Sequence, residues 1–410
     1  MDGDRYIEKI KITNLLSFGP NSEEVDLEPL NILIGPNGSG KSNFLEILWL
    51  LRKIPGNPAH YFRIRGGPAE WIYRGHGASS TASIEVDVVY PAGSVALKYR
   101  LSLSTIESQV QITEETIENA RSTEPEKPPV WFYRFDGVEA KVRVRTSPAA
   151  APGTDDSREI RHYNEIQQSQ FDPQISILAQ LMDYVQFPEI SYLRNTFLNS
   201  ITIFRNTGIV AHEGAWPQST FPESEELRED LANLAMVLRR LKNTLDIRDK
   251  MADVLLRLVE QFEDFQILVD GQFAQLVLRE KGLADFTSAK RLSGGTLRFF
   301  ALLAILLGER HGRSEIICLE DPELGLHPDA LPIVAELLIE ASKHIQLIVT
   351  THSQTLVSAF GEVPDAVLVC EHGENGTEIA RLDPEKLQTW LDEYSLGDVW
   401  RMGEIGGNRW

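Results

Sequence analysis

Thiols are scarce in this 410-residue chain: Cys318 and Cys370 are its only cysteines. Each lies in an apolar run that reads as a buried strand, so no disulfide framework is expected and a reducing cytoplasm is the natural setting. A run of about 18 apolar residues is also missing, which argues against a transmembrane helix. The opening Met1-Asp2-Gly3-Asp4-Arg5 is polar and lacks a signal-peptide core. Positive charge is in short supply: 40 Lys and Arg stand against 60 Asp and Glu, a net charge of −20. That excludes a globally basic nucleic-acid protein, so a DNA contact would need a local patch on an acidic body. It also speaks against a membrane partner. Apolar residues make up 42% of the chain, enough for one large domain or two ordinary ones. No internal repeat is visible.

The densest local signal is Gly35-Pro36-Asn37-Gly38-Ser39-Gly40-Lys41-Ser42, which has the spacing of a phosphate-binding P-loop. The apolar run Asn31-Ile32-Leu33-Ile34 before it reads as a buried strand. After it, Phe44, Ile47, Leu48 and Leu51 share one helical face. Strand, glycine loop and helix form the context the motif requires. Glycines let backbone N–H groups converge on one concavity, and the helix N-terminus adds positive potential. Lys41 is then placed to reach the β- and γ-phosphates, and Ser42 to hold Mg²⁺.

Elsewhere the chain alternates between helical and extended patterns. Tyr6 to Ile12 reads as a first strand, and 55–77 as irregular. Alternation at 84–88 and 95–103, with a hairpin about Asp136-Gly137, predicts an antiparallel β layer. Lys141, Arg143 and Arg145 line one face of a strand there. A charged edge that discourages strand pairing accounts for them better than a DNA patch. Residues 147–157 read as a flexible loop, and 171–204 as mostly helical. Leu227, Leu231, Leu234, Leu238, Leu241 and Leu245 are spaced like a coiled-coil seam. A second stripe, Met251 to Phe262, follows it, and core packing explains both. Asp270-Gly271 marks another hairpin. Residues 314–319, 346–350 and 366–370 read as strands of an α/β sheet.

Three further motifs carry chemistry. Leu292-Ser293-Gly294-Gly295-Thr296 opens an apolar helix and offers a hydroxyl and bare N–H groups to an anion, although alone it is an ordinary N-cap. Ile316 to Leu319 is an apolar strand ending in Glu320-Asp321, with Glu323 two residues on. Carboxylates at that strand edge are where Mg²⁺ and an attacking water need them. Ile345 to Val349 leads to Thr350-Thr351-His352-Ser353, with His352 at a strand exit. Each is weak alone; their order and spacing are not.

The set resembles the RecF/SMC-like branch of ABC-type ATPases, the single-headed bacterial ATPases related to components of anti-phage defence systems. The opening Ile10-Lys-Ile-Thr-Asn14, the run Leu30 to Asn43 and Leu319-Glu-Asp-Pro-Glu-Leu-Gly-Leu-His-Pro328 carry the likeness. So does the tail, Tyr394 to Asp398 and Gly403 to Trp410. The resemblance implies an α/β P-loop NTPase fold: an ABC-type head with a mixed core sheet, an antiparallel β layer and an inserted helical lobe. One discontinuous head is expected, with residues 1–160 as its N-terminal lobe, 161–290 as a mostly helical insertion and 291–410 as its C-terminal lobe. Asn37, Gly38, Ser39, Gly40, Lys41, Ser42 and Asn43 would bind ATP. Ser42 and Glu320 would hold Mg²⁺, Asp321 would stand at the general-base position, and His352 would sense the γ-phosphate. Ser293, Gly294 and Gly295 would meet the γ-phosphate of ATP held by a second copy, in a head-to-tail sandwich crossed by Leu324 to His327. No glutamine between the P-loop and Ser293 has a distinctive frame.

One departure stands out. Most such heads read Asp-Glu where this chain reads Glu-Asp. A base one methylene short sits further from its water, and about 1 Å of misplacement can cost on the order of 100-fold. Slow hydrolysis, or help from Glu323, is therefore expected. The implied role is an ATP-dependent DNA-associated or defence ATPase with a separately encoded nuclease or toxin effector. The alternatives are a nucleotide-gated scaffold and, against the inserted β layer, a transporter ATPase subunit.

Overall fold

The computed structural model describes residues 3–407 apart from 57, 107–108, 124–125, 146–162, 168–171, 173, 206–218, 221–225, 259–260, 272 and 309–315. The loop expected at 147–157 and the last three residues of the tail lie outside the described residues.

The frame is a six-stranded sheet of β1 (Leu30–Ile34), β2 (Ile201–Phe204), β3 (Ile316–Glu320), β4 (Gln346–Thr350), β5 (Val367–Gly373) and β6 (Gly376–Arg381). Their order across the sheet is β2-β3-β4-β1-β5-β6. The first five run parallel, and only the β5–β6 hairpin is antiparallel. Parallel strands buried on both faces read as continuous apolar runs, as 316–319 and 346–349 do. Side chains alternate between two cores. Ile32, Ile34, Leu319, Leu347 and Val349 face helices Gly294–Leu307 and Leu331–Ala341 through Phe299, Phe300, Val334 and Leu338. Leu33, Ile316, Cys318, Ile348 and Cys370 face helix α1 (Lys41–Lys53) and an antiparallel sheet. That second sheet has eight strands, in the order 24–26, 7–13, 81–88, 97–106, 109–119, 131–135, 140–145 and 163–167. A small third sheet is built on the Phe262–Asp270 and Phe273–Glu280 hairpin.

Several expectations are corrected. Residues 55–77 hold two short helices, Pro58–Ile64 and Pro68–Trp71. A proline at the first helical position starts a helix, because its missing N–H has no intrahelical partner there. Tyr61 and Phe62 then clasp Trp71, with ring centroids 5.5 and 5.0 Å away. The segment ending at Phe204 is not helical at its end: Ile201–Phe204 is β2, the edge strand beside β3. The leucine seam is interrupted. Leu231 has φ +55°, the helix runs only over Leu234–Asn243, and Thr244 is extended before Leu245–Leu258 begins. Asn233 accounts for the late start: its side chain accepts the Arg228 N–H and donates to the Glu226 carbonyl. Lys141, Arg143 and Arg145 do not mark an edge, since Tyr163–Gln167 pairs beyond them. Arg143 instead lies 4.3 Å from the ring centre of Trp131, and Lys141 pairs with Glu139 at 3.4 Å.

Candidate nucleotide site at the carboxyl edge of the core sheet

Register decides what meets at the sheet edge. Phe204 pairs with Leu319, Glu320 with Thr350, and Thr350 with Leu33. Four strands therefore end together, releasing Arg205, Glu320-Asp321, Thr351-His352 and the P-loop along one edge. Ligands of open parallel sheets bind outside such carboxyl ends.

The P-loop is clamped from behind. Gly40, at φ +107°, caps α1, and a Cβ there would fall 2.1 Å from Thr377 Oγ1. A Cβ on Gly35, at φ +147°, would fall 2.2 Å from the Cys370 carbonyl. Thr377 lies at the start of β6, where its Oγ1 is 3.0 Å from the Ser39 carbonyl and 2.7 Å from Ser17 Oγ. Nothing in the sequence marks Thr377, because its partner is 338 positions away. The tail closes in as well: Gly407 donates to Glu371 Oε1 at 2.7 Å and lies beside Gly35.

The loop interior fits a polyanion. Ser39 is fully buried and its hydroxyl meets no partner. Lys41 is buried and donates to the carbonyls of Gly35 at 2.7 Å and Pro36 at 3.1 Å. Burial lowers its pKa, opposed by Cys370 and by the carboxylates of Asp321 and Glu323. A buried cation held by loop carbonyls rather than by a carboxylate suits phosphate. Asn37, Gly38 and Ser42 are exposed. Ser42, Asn43 and Glu320 line one cleft of about 510 Å³ with Glu46, Arg65 and Arg205. A hydroxyl and a carboxylate are hard oxygen donors, the set Mg²⁺ takes when phosphates and water complete its shell.

The acids beyond β3 are held to β4. Asp321 has φ +46°, a conformation uncommon outside glycine. Its N–H donates to the Thr350 carbonyl at 3.1 Å, and Thr350 Oγ1 donates to its Oδ1 at 3.3 Å. Glu323 turns inward, and its Oε1 accepts from Thr351 Oγ1 at 2.6 Å and from the His352 N–H at 2.9 Å. His352 is exposed at the strand exit. Desolvation first, then the charge of Lys41, lowers its pKa against the pull of Asp321. The lowered pKa favours the neutral imidazole, in which one ring nitrogen donates and the other accepts.

Ser293, Gly294 and Gly295 do not line the cleft of Ser42 and Glu320. Ser293 caps the helix Gly294–Leu307, its Oγ accepting the Thr296 N–H at 3.0 Å. Ser293 and Gly294 are exposed, and a Cβ on Gly294 would meet nothing within 4 Å. Gly295 abuts the Gly325 carbonyl, and Arg298 donates to the Leu324 carbonyl. The loop after β3 is thus joined to the start of this helix, with Leu324 and His327 exposed beside it.

A family model described as "AAA domain, putative AbiEii toxin, Type IV TA system" matches residues 30–358. No curated protein matches the chain. Among solved structures, an SmcHead bound to the C-winged helix domain of ScpA is similar at TM-score 0.54 and 12% identity, covering 93% of this chain and 99% of that one. An Smc head domain with an extended coiled coil, bound to the C-terminal domain of ScpA and derived from Pyrococcus furiosus, gives 0.54 and 13%, covering 95% and 99%. One with a coiled coil and joint from Pyrococcus yayanosii gives 0.51 and 11%, covering 95% and 99%. At these identities the likeness concerns the fold, an SMC-type P-loop head. Among the described residues no helix is long and apolar enough to cross a membrane.

Proposed function

The chain belongs to this AAA-domain family and is a P-loop ATPase of SMC-head type; from that premise we propose that it hydrolyses ATP slowly, as two copies closed head to tail around two nucleotides. Asn37 through Asn43 bind the triphosphate, Lys41 leaving its own loop carbonyls for the β- and γ-phosphates. Ser42 and Glu320 hold Mg²⁺, which when bound offsets charge on the phosphate oxygens. A carboxylate beyond Glu320 takes the proton of the attacking water, and Asp321 occupies the position the family resemblance gives that role. Neutral His352 donates to the γ-phosphate. Ser293, Gly294 and Gly295 of the second copy complete the site, with Leu324 to His327 at the seam. The lobes 1–160 and 291–410 form most of the head, and 161–290 lies between them in sequence while contributing β2 to the core sheet and 163–167 to the eight-stranded sheet.

The observation that carries this reading is the separation of the two motifs. Ser293 and Gly294 stand open to solvent and are absent from the cleft that Ser42, Asn43 and Glu320 line. An anion site left open at one end of a chain, and a phosphate site lacking that wall at the other, complement each other in a pair. Analytical ultracentrifugation with and without ATP and Mg²⁺ tests it. ATP should shift the chain from monomer toward dimer, and an unchanged monomer at saturating ATP would refute the sandwich.

In its biological setting the chain acts as a cytoplasmic, ATP-gated sensor in DNA-related or anti-phage defence, working through a separately encoded nuclease or toxin. The family description, which names a toxin of a type IV system, supports this. The neighbours solved with ScpA support a protein partner. Affinity capture from the native host with ATP, followed by identification of bound protein and nucleic acid, tests it. Recovery of neither would favour an autonomous ATPase. The shorter acid at Asp321 favours a second reading, a nucleotide-gated scaffold that hardly turns over; a steady-state ATPase rate separates the two.

A further inference from the structure

Glu323 is only 8% exposed, and just one of its oxygens is engaged. Its Oε1 is held by Thr351 and the His352 N–H, whereas its Oε2 is buried and meets no donor. A buried carboxylate oxygen without a donor is a liability that folded chains seldom keep unless water or a ligand completes it. Asp321 is engaged otherwise, its carboxylate receiving the Thr350 hydroxyl and its backbone turned into the left-handed region. Glu323 also lies close enough to Lys41 for its charge to be felt there, so it belongs to the field that surrounds the γ-phosphate position.

We infer that Glu323 Oε2, rather than Asp321, is the proton acceptor for the attacking water. The inference rests on the ATPase reading above. The longer side chain, set two residues beyond Asp321, restores the reach that the Glu320-Asp321 order removes. As the water's oxygen bonds to the γ-phosphorus, its proton passes to Oε2. The bond to the β,γ-bridging oxygen breaks, with its electron pair leaving on ADP. The proton then passes from Oε2 to solvent. Burial, with the neighbouring charge of Asp321, lifts Glu323 above its ordinary value against the hydrogen bonds from Thr351, the His352 N–H and its own N–H, a direction that suits a base. Because Oε1 fixes the His352 backbone, the same residue ties base and γ-phosphate contact to one geometry.

The test compares E323Q, D321N and T351V in single-turnover hydrolysis, together with affinity for a fluorescent non-hydrolysable ATP analogue and melting temperature. E323Q keeps an oxygen for Thr351 and His352 but has no base at the second position. Its rate should fall about 100-fold or more at unchanged analogue affinity. D321N should lose less than about tenfold. T351V, which removes one of the two donors to Oε1 without touching the carboxylate, should slow hydrolysis measurably at unchanged affinity. Should E323Q fold poorly, D321N and T351V decide. Hydrolysis by E323Q within about threefold of the wild-type rate, or a larger loss in D321N than in E323Q, overturns the assignment to Glu323 while leaving the ATPase reading intact. Absence of turnover in the wild-type chain overturns that reading, and this inference with it.

Discussion

Gly35 to Ser42 is crowded from behind, whereas Ser293 to Gly295 stands in the open. The P-loop is packed on Cys370, Thr377 and Gly407, and its lysine is buried among carbonyls. The Ser293 end is a bare helix start whose own hydroxyl caps it. Both are built from glycine and a hydroxyl, and both offer backbone N–H groups. The difference is in who supplies the remaining walls. Within the chain, β5, β6 and the tail wall the first; at the second, Gly325 meets Gly295 and nothing meets Gly294. On the proposed reading, a phosphate binds the first in a single copy, while the second gains a ligand only when another copy brings one.

Substitutions that treat the two ends unequally sharpen this comparison. The largest effect is expected from Lys41→Ala, which removes the buried cation. Calorimetric ATP affinity should drop on the order of 100-fold, since charge-assisted hydrogen bonds to phosphate are worth about 1.5–3 kcal/mol each. Near-normal affinity would break the assignment of the loop. Ser293→Arg places bulk on an open surface. It should leave single-chain affinity unchanged while turnover falls about 100-fold, the usual scale for losing oxyanion donors. Reduced ATP affinity in that variant would erase the distinction between the ends.

Stability should divide the same way. Gly40→Ala forces a Cβ toward Thr377 at a positive φ. It should cost roughly 1–3 kcal/mol in denaturant unfolding. Gly294→Ala, with nothing within 4 Å, has room for the new methyl and should cost nothing or even stabilise the helix. Equal costs would contradict the packing described. The smallest effect concerns pH. The folded-state pKa of His352 is lowered, so its contribution to stability is present above the unfolded value of 6.5 and lost as pH falls below it toward the folded value. An NMR titration of the ring should give a midpoint below 6.5; one at or above it would contradict the desolvation and the Lys41 charge acting on this ring.

Much of this head is legible in local pattern. The P-loop, the apolar strands and the order of the four motifs are short-range signals, and the parallel sheet follows from continuous apolar runs. What escapes the sequence is set at long range. Ile201–Phe204 becomes a strand because Ile316 to Leu319 offers it a ladder more than a hundred residues on. The leucine seam has ideal spacing yet breaks, because the side chain of Asn233 bonds the backbone before the helix. Lys141 to Arg145 looks like an edge because the partner strand follows a long intervening segment. At the site, the acidic pair is visible, but which acid carries a free buried oxygen depends on the turn after Asp321.

The central claim is that a working site takes its P-loop from one copy and its Ser293 end from another. Mixing the Lys41→Ala and Ser293→Arg chains tests it directly, because each mixed pair holds one site with both ends intact. Each variant alone should be inactive, and the equimolar mixture should recover on the order of one-tenth to one-quarter of the wild-type ATPase rate. No recovery at any mixing ratio, or full turnover by Ser293→Arg alone, would contradict the account.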